Sequence, residues 1–178
     1  MDYIWSPWRY QYMSGTAKRE GCIFCDLTAA DPAHDRERLI LHRGRFNLIV
    51  LNLFPYNSGH AMIAPYQHVA SLDGLETEAL GEMMTLARDL ETALEAAYHP
   101  QGYNLGMNLG RSAGAGIADH LHLHVLPRWN GDANFMTTVG ETRVLPEDLD
   151  TTYQRLVESF RGAAGSYTRR VPGELEGG

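Results

Sequence analysis

The residues best suited to chemistry lie in the run His120-Leu121-His122-Leu123-His124-Val125-Leu126. Side chains alternate between the two faces of a strand, so an extended run places three imidazoles on one face and the aliphatic side chains on the other. Three clustered imidazoles offer little packing and repel one another when charged, which indicates function. Alternate residues are roughly 6 to 7 Å apart, a spacing that suits neighbours on a phosphate ester or a metal better than three bonds to one ion.

A second pattern is the C-x-x-C formed by Cys22 and Cys25, the two cysteines of the chain. Two cysteines are too few for a disulfide framework, and three interpretations stay open: a redox pair, a reduced buried pair, or half of a zinc site. A thioredoxin-like motif is expected within a βαβ pattern, which is not evident here. Zinc requires two further ligands, normally histidines.

A glycine-rich loop, GRSAGAG from Gly110 to Gly116, leads directly into the histidine run. A segment with so few side chains allows backbone N–H groups to approach an anion closely. Alone this would indicate no more than a flexible linker, but its position before the histidines favours a phosphate-binding loop.

The elements that must position these residues alternate between short strands and long amphipathic helices. Helical periodicity begins at Leu75 and ends before Pro100, and it recurs between Leu149 and Phe160. The apolar faces of both helices are predicted to pack on a sheet. Five strands are predicted at Leu39–Leu41, Phe46–Asn52, His60–Ala64, Tyr103–Asn108 and His120–Leu126. Runs of strands around one central helix predict an α+β fold with a mainly antiparallel five-stranded sheet, a long central helix and a C-terminal helix.

Length and composition bound the function classes. A chain of 178 residues with 44% hydrophobic residues predicts one domain at 20–165, between an N-terminal arm at 1–19 and a loose C-terminal tail at 166–178. The net charge of -7 argues against long nucleic acids and anionic membranes as partners. The chain has no apolar run of membrane-span length and no signal-like start, so we predict a cytoplasmic location.

These motifs resemble the histidine triad superfamily of nucleotide hydrolases and transferases. The resemblance covers roughly residues 20–130 and rests on H-L-H-L-H-V-L, on N-S-G-H at 57–60 and on the glycine-rich loop. The segments W-S-P-W-R near the start and P-R-W-N-G-D-A-N-F-M at 127–136 resemble the branch with bacterial dinucleoside tetraphosphate phosphorylases. The resemblance implies the histidine triad fold.

The resemblance also implies roles for individual residues. His122 would be the nucleophile that attacks the α-phosphorus of a nucleotide, which agrees with the nucleophilicity of a neutral imidazole near pH 7. His124 would donate to a phosphate oxygen, and His60 would support the triad by hydrogen bonding. Asn52 matches the position that binds the ribose hydroxyls.

Phosphate binding is implied for Asn108 at the entry to the glycine-rich loop and for Arg111, Gly114 and Gly116 within it. Gly116 stands where many relatives place a Ser or Gln that touches the phosphate. That departure shifts the contact to backbone groups, to Arg111 or to a bound Mg²⁺ or Mn²⁺.

Relatives with a C-x-x-C near the start complete a structural zinc site with two histidines. Here these correspond to His68 and to the first triad histidine, His120, so the resemblance implies a tetrahedral site formed by Cys22, Cys25, His68 and His120.

The function predicted is cleavage of dinucleoside polyphosphates, such as diadenosine tetraphosphate, through a nucleotidyl-histidine that phosphate or water resolves. The alternatives are a nucleoside phosphoramidase or adenylyl-conjugate hydrolase, and a nucleotide-binding module without catalysis. The predicted partners are a small nucleotide and a second copy of the chain, since members of this superfamily typically form homodimers.

Overall fold

The computed structural model describes residues 21–132 and 147–167, with side chains described as far as Phe160. The predicted arm at 1–19 lies outside these residues, and so does most of the predicted tail. The described elements, in chain order, are α1 (Ile23–Thr28), β1 (Ile40–Arg43), β2 (Asn47–Leu51), β3 (Ala61–Pro65), α2 (Thr77–Tyr98), β4 (Gly102–Gly106), β5 (Leu123–Arg128) and α3 (Leu149–Tyr167).

The five strands form one sheet in the order β1-β2-β3-β5-β4, and every neighbouring pair is antiparallel. The prediction of an α+β fold with an antiparallel five-stranded sheet and a long central helix is confirmed. The order places β5 between β3 and β4, so the strand that carries His124 is held by ladder hydrogen bonds on both sides. Met62 of β3 and Gly106 of β4 both lie opposite His124.

Core residues lie on both faces of the sheet because β2 and β3 are buried almost completely. Ile49 and Leu51 of β2 pack on the α2 side with Met83 and Leu90, whereas Leu48 belongs to the second cluster. That second cluster contains Phe24, Leu27, Ile40, Leu48, Val50 and Ala64. The α1 segment, which the sequence prediction missed, therefore covers the sheet face opposite to α2.

The C-terminal helix differs from expectation in what it contacts. Both amphipathic helices were expected to pack on the sheet, but α3 packs chiefly against α2 and touches the sheet at β1. Its buried residues Tyr153, Leu156 and Phe160 join the α2 core. No helix in the described ranges is long and apolar enough to cross a membrane.

The prediction that one strand spans all three triad histidines is wrong at its start. β5 begins at Leu123, so His120 and His122 precede it. The pairing of β3 with β5 stops at Ile63 and Leu123, and the Leu121 N–H instead donates to the Val69 carbonyl at 2.6 Å. The alternation of side chains nevertheless continues, because Leu121, Leu123 and Val125 are all buried in the α2-side core.

Gly59 fits the turn before His60 only because it has no side chain. Its φ is +80°, and a Cβ there would lie 2.8 Å from Leu94 Cδ2 and 3.2 Å from Pro127 Cγ. We expect Gly59→Ala to lower the free energy of unfolding by about 2 to 4 kcal/mol, from overpacking and left-handed strain combined. Urea denaturation measures the change.

The matched control is Gly81→Ala, because Gly81 lies inside α2 and a Cβ there would meet nothing within 4 Å. This substitution should stabilise the chain by about 0.5 to 1 kcal/mol through helix propensity. Equal effects of the two substitutions would contradict the steric account of Gly59.

Candidate active site

Three histidines meet on the face of the sheet opposite to α2. His60 directly precedes β3, and because β3 pairs with β5 it reaches His124 across the two strands. His60 Nε2 lies 3.0 Å from His124 Nδ1, and the ring centroids of His122 and His124 are 4.9 Å apart. His60 is almost completely buried, while the His124 side chain is partly open to solvent.

The hydrogen bonds determine which ring nitrogen carries the proton in neutral His60 and in neutral His124. The Tyr56 backbone N–H donates to His60 Nδ1 at 3.1 Å, so Nδ1 is the acceptor and the proton of neutral His60 is on Nε2. His60 Nε2–H then donates to His124 Nδ1. The proton of neutral His124 is therefore on Nε2, where it is available as a hydrogen-bond donor to a ligand.

His122 has the opposite tautomer. Its Nδ1 lies 2.8 Å from the His120 carbonyl oxygen, which can only accept, so the proton is on Nδ1 and Nε2 carries the lone pair. Burial lowers the pKa of His122. Burial, and then the neighbouring His122, lower the pKa of His124 to about 4. At neutral pH the site therefore combines a neutral nitrogen lone pair with a neutral donor next to it.

Two aromatic side chains at the site were missed by the sequence analysis. The ring of Phe24, on α1, lies 4.8 Å from that of His122 between centroids. The ring of Tyr56 lies 4.8 Å from that of His60. If C-I-F-C had been predicted to be helical, the large apolar side chain of Phe24 could have been expected to face the sheet.

Asn52 lies beside His60, eight residues away in sequence. Its Oδ1 accepts the Phe54 N–H at 3.0 Å, which directs the amide nitrogen toward the imidazole, with Nδ2 3.3 Å from His60 Nδ1. Asn52 is half-buried. The structure thus brings this predicted ribose-binding residue to the histidines, and its contact with a ribose stays a prediction.

The glycine-rich loop begins near the same end of the sheet. The last β4–β5 pair joins Gly106 to His124, so Asn108 follows β4 in the direction of the residues that precede β5. Arg111–Ala113 form one turn of 3-10 helix between Gly110 and Gly114, whose φ angles of 81° and 88° favour glycine. Arg111, Gly114 and Gly116 are exposed, and Asn108 is half-buried.

A separate cluster joins Cys22, Cys25, His68 and His120, whose four ligand atoms all lie within 4.8 Å of one another. Cys22 Sγ is 3.2 Å from His120 Nδ1, and Cys25 Sγ is 3.2 Å from His68 Nδ1. A tetrahedral zinc ion with ordinary bond lengths separates its S and N ligands by roughly 3.5 Å.

The outer contact of this cluster also suits a metal. His120 Nε2 lies 2.9 Å from the Pro65 carbonyl oxygen, so Nε2 donates and Nδ1 is left unprotonated toward the cysteines. The residues present therefore fit a closed site with two thiolates and two imidazoles. Through His120, this cluster is joined to the backbone carbonyl that orients His122.

Comparison with known proteins identifies the family. The chain matches the family model for the HIT domain over residues 36–131, and it belongs to the HIT family. It is 38% identical over 170 residues to an AP-4-A phosphorylase from Mycobacterium tuberculosis. The aligned region covers 90% of this chain and 85% of that protein.

Two further matches agree with this family. An adenosine 5'-monophosphoramidase from Schizosaccharomyces pombe is 27% identical over 72% of this chain and 90% of its own length. The crystal structure of a Zn-bound histidine triad family protein from Mycobacterium smegmatis superposes with a TM-score of 0.65 at 22% identity, covering 82% of this chain and 97% of that one. The predicted family and fold class are confirmed.

Proposed function

We propose that the chain cleaves dinucleoside polyphosphates, such as diadenosine tetraphosphate, at an α-phosphate through a nucleotidyl-histidine formed on His122. The observation that carries the proposal is that a lone pair on His122 Nε2 and an N–H donor on His124 Nε2 occur at the same site. Hydrogen bonds to the other nitrogen of each ring fix both tautomers. The 38% identical relative that is named AP-4-A phosphorylase supports the same enzyme class and substrate.

In the first step, His122 Nε2 attacks the α-phosphorus, a P–N bond forms and the bond to the bridging oxygen breaks. The departing nucleotide leaves as an anion. Positive charge develops on the His122 ring, and the His120 carbonyl that accepts from Nδ1–H stabilises it. His124 Nε2–H donates a hydrogen bond to a phosphate oxygen, and His60 holds His124 in that tautomer.

In the second step, phosphate or water attacks the same phosphorus and His122 leaves as a neutral imidazole. Phosphate yields a nucleoside diphosphate and water yields a monophosphate. We assign the ribose to Asn52 and the phosphate chain to Asn108, Arg111, Gly114 and Gly116, with Mg²⁺ or Mn²⁺ as an accompanying cation on the substrate.

A product analysis tests this function. Incubation with diadenosine tetraphosphate and phosphate should give ATP and ADP from a phosphorylase, whereas without phosphate a hydrolase gives ATP and AMP. The phosphoramidase alternative is favoured by the Schizosaccharomyces pombe relative, and an adenosine phosphoramidate substrate tests it in the same assay. Nucleotide binding without turnover of any of these substrates would favour a non-catalytic module.

We further propose that the four-residue cluster binds one structural zinc ion. The donor set and its spacing support this, and a structural neighbour is described as Zn-bound. Zinc held there would fix α1 and the segment before β5 to one another without taking part in the chemical step. Reduced thiolates of this kind suit the cytoplasm, which is the location we propose.

We also expect a homodimer, with about twice the 19.9 kDa chain mass. β4 is at the edge of the sheet, its last three residues are exposed, and Leu105 among them is 43% exposed. An open strand edge with an exposed leucine favours pairing with a second copy across a two-fold axis. Light scattering at micromolar concentrations tests this, and a monomer mass throughout that range would reject it.

A further inference from the structure

The carboxylate of Asp132, beyond the end of β5, is surrounded by hydrogen-bond donors. It accepts from Arg128 through Nε at 2.6 Å and Nη2 at 2.8 Å, from Asn57 Nδ2 at 3.1 Å and from the Trp129 N–H at 3.3 Å. Arg128 also donates to Asn104 on β4 at 2.5 Å. Arg128 holds the pKa of Asp132 well below its usual range, so this carboxylate is ionised and acts only as an acceptor.

Asn57 connects this carboxylate to the turn that ends at His60. The Asn57 side-chain amide donates to the Asp132 carboxylate at 3.1 Å and to the Pro127 carbonyl at 3.2 Å, while the Asn57 backbone carbonyl accepts the His60 N–H at 3.1 Å. The hydrogen bonds of the Phe54 and Tyr56 N–H groups in this turn are local, within four residues. The hydrogen bonds of the Asn57 side chain instead reach Pro127 and Asp132, which follow it by 70 and 75 positions in the sequence.

These contacts bring together the two segments that carry His60 and His124. His124 lies in β5, and Asp132 closes the turn that follows this strand. His60 lies at the end of another turn, and the Asn57 side chain of that turn donates hydrogen bonds to Pro127 and Asp132. The 3.0 Å hydrogen bond between the two imidazoles therefore spans segments that Asn57 and Asp132 join at a second point.

We infer that Asn57 and Asp132 are positioning residues that hold His60 against His124 and thereby keep the His124 proton on Nε2. Without this attachment the His60 turn can move away from β5, and His124 Nδ1 loses its donor. Neutral His124 would then exchange between its two tautomers, of which one donates to the substrate. The kinetic part of this inference rests on the proposed function, whereas the tautomer itself does not.

Two substitutions remove the attachment without adding bulk. Asn57→Ala deletes both side-chain hydrogen bonds, and its backbone is compatible with alanine because the non-glycine residues with positive φ in the described part of the chain are Leu39 and His99. Asp132→Asn keeps the shape but replaces an acceptor-only oxygen by an amide. The matched control is Asp150→Asn, which breaks the exposed Arg36–Asp150 ion pair by the same chemical change.

Imidazole ¹⁵N NMR on the full-length chain is the direct test, because the shifts of Nδ1 and Nε2 distinguish the two tautomers. We expect one tautomer for His124 in the unmodified chain and in Asp150→Asn, and a mixture in Asn57→Ala and Asp132→Asn. With diadenosine tetraphosphate, kcat should fall about 10- to 100-fold in the two positioning variants while KM changes by less than about 3-fold.

A merely structural role would lower thermal stability but leave the His124 tautomer and kcat unchanged, and that result in either folded variant overturns the inference. If Asn57→Ala does not fold, Asp132→Asn supplies the same comparison. If the unmodified chain consumes no nucleotide while the two positioning variants show the tautomer mixture, the proposed function is rejected and the positioning role is retained.

Discussion

Replacing His122 by alanine should abolish nucleotide turnover, by about four orders of magnitude or more, while the chain still folds. The side chain is 6% exposed, but it lies at the site and outside the main core cluster. Neither neighbouring imidazole can replace it as nucleophile. His120 Nδ1 faces Cys22, and His124 Nδ1 accepts from His60.

The intermediate provides a second measurement for this prediction. Rapid quenching of the unmodified chain with diadenosine tetraphosphate in alkaline denaturant, which preserves a P–N bond, followed by mass spectrometry at alkaline pH, should find one nucleotidyl group on the peptide that contains His122, and none in His122→Ala. His34→Ala is the control, since His34 is exposed and paired with Glu37. Turnover within tenfold of the unmodified chain would remove His122 from the role of nucleophile.

Much of this site was predictable from the sequence because its information is local. Strict alternation over residues 120–126 specifies which side chains share a face even where the ladder is absent, and Leu121 is buried although it precedes β5. The same holds for α2, whose long apolar stripe predicts both the element and the buried face. The four predicted metal ligands also lie together, but that set came from the resemblance to the family, because His68 and His120 are 43 and 95 residues from Cys25.

The rest depends on pairings between residues distant in sequence. β5 starts where its pairing with β3 stops, because the Leu121 N–H donates to the Val69 carbonyl instead. The residues of β5 alone do not indicate either of these contacts. The six-residue α1 is too short for its periodicity to be recognised. Asn57 and Asp132 are both ordinary turn residues, and only the fold shows that they meet.

The second prediction with a large expected effect concerns the cluster of Cys22, Cys25, His68 and His120. We expect about one zinc ion per chain, and we expect Cys22→Ser to lower the thermal midpoint by about 10 °C or more. A structural zinc site contributes binding free energy directly to folding, and about 1 kcal/mol corresponds to roughly 2 to 4 °C in a chain of this size. Metal analysis and thermal unfolding, with and without a chelator, measure both quantities.

Cys22→Ser removes a proposed metal ligand with little change in side-chain volume, and its expected effect on the start of α1 has the opposite sign. Cys22 is the N-cap of α1, and its side chain makes no capping hydrogen bond. Serine is a favoured N-cap residue that stabilises a helix by about 1 kcal/mol, so a net loss of stability reports the metal site and not the helix.

In protein that remains folded, kcat should stay within about tenfold, because a closed four-ligand site has no open position for substrate. His34→Ala, which removes an exposed imidazole outside the cluster, should change neither zinc content nor midpoint. A chain purified without zinc, and equally stable in chelator, would overturn the assignment.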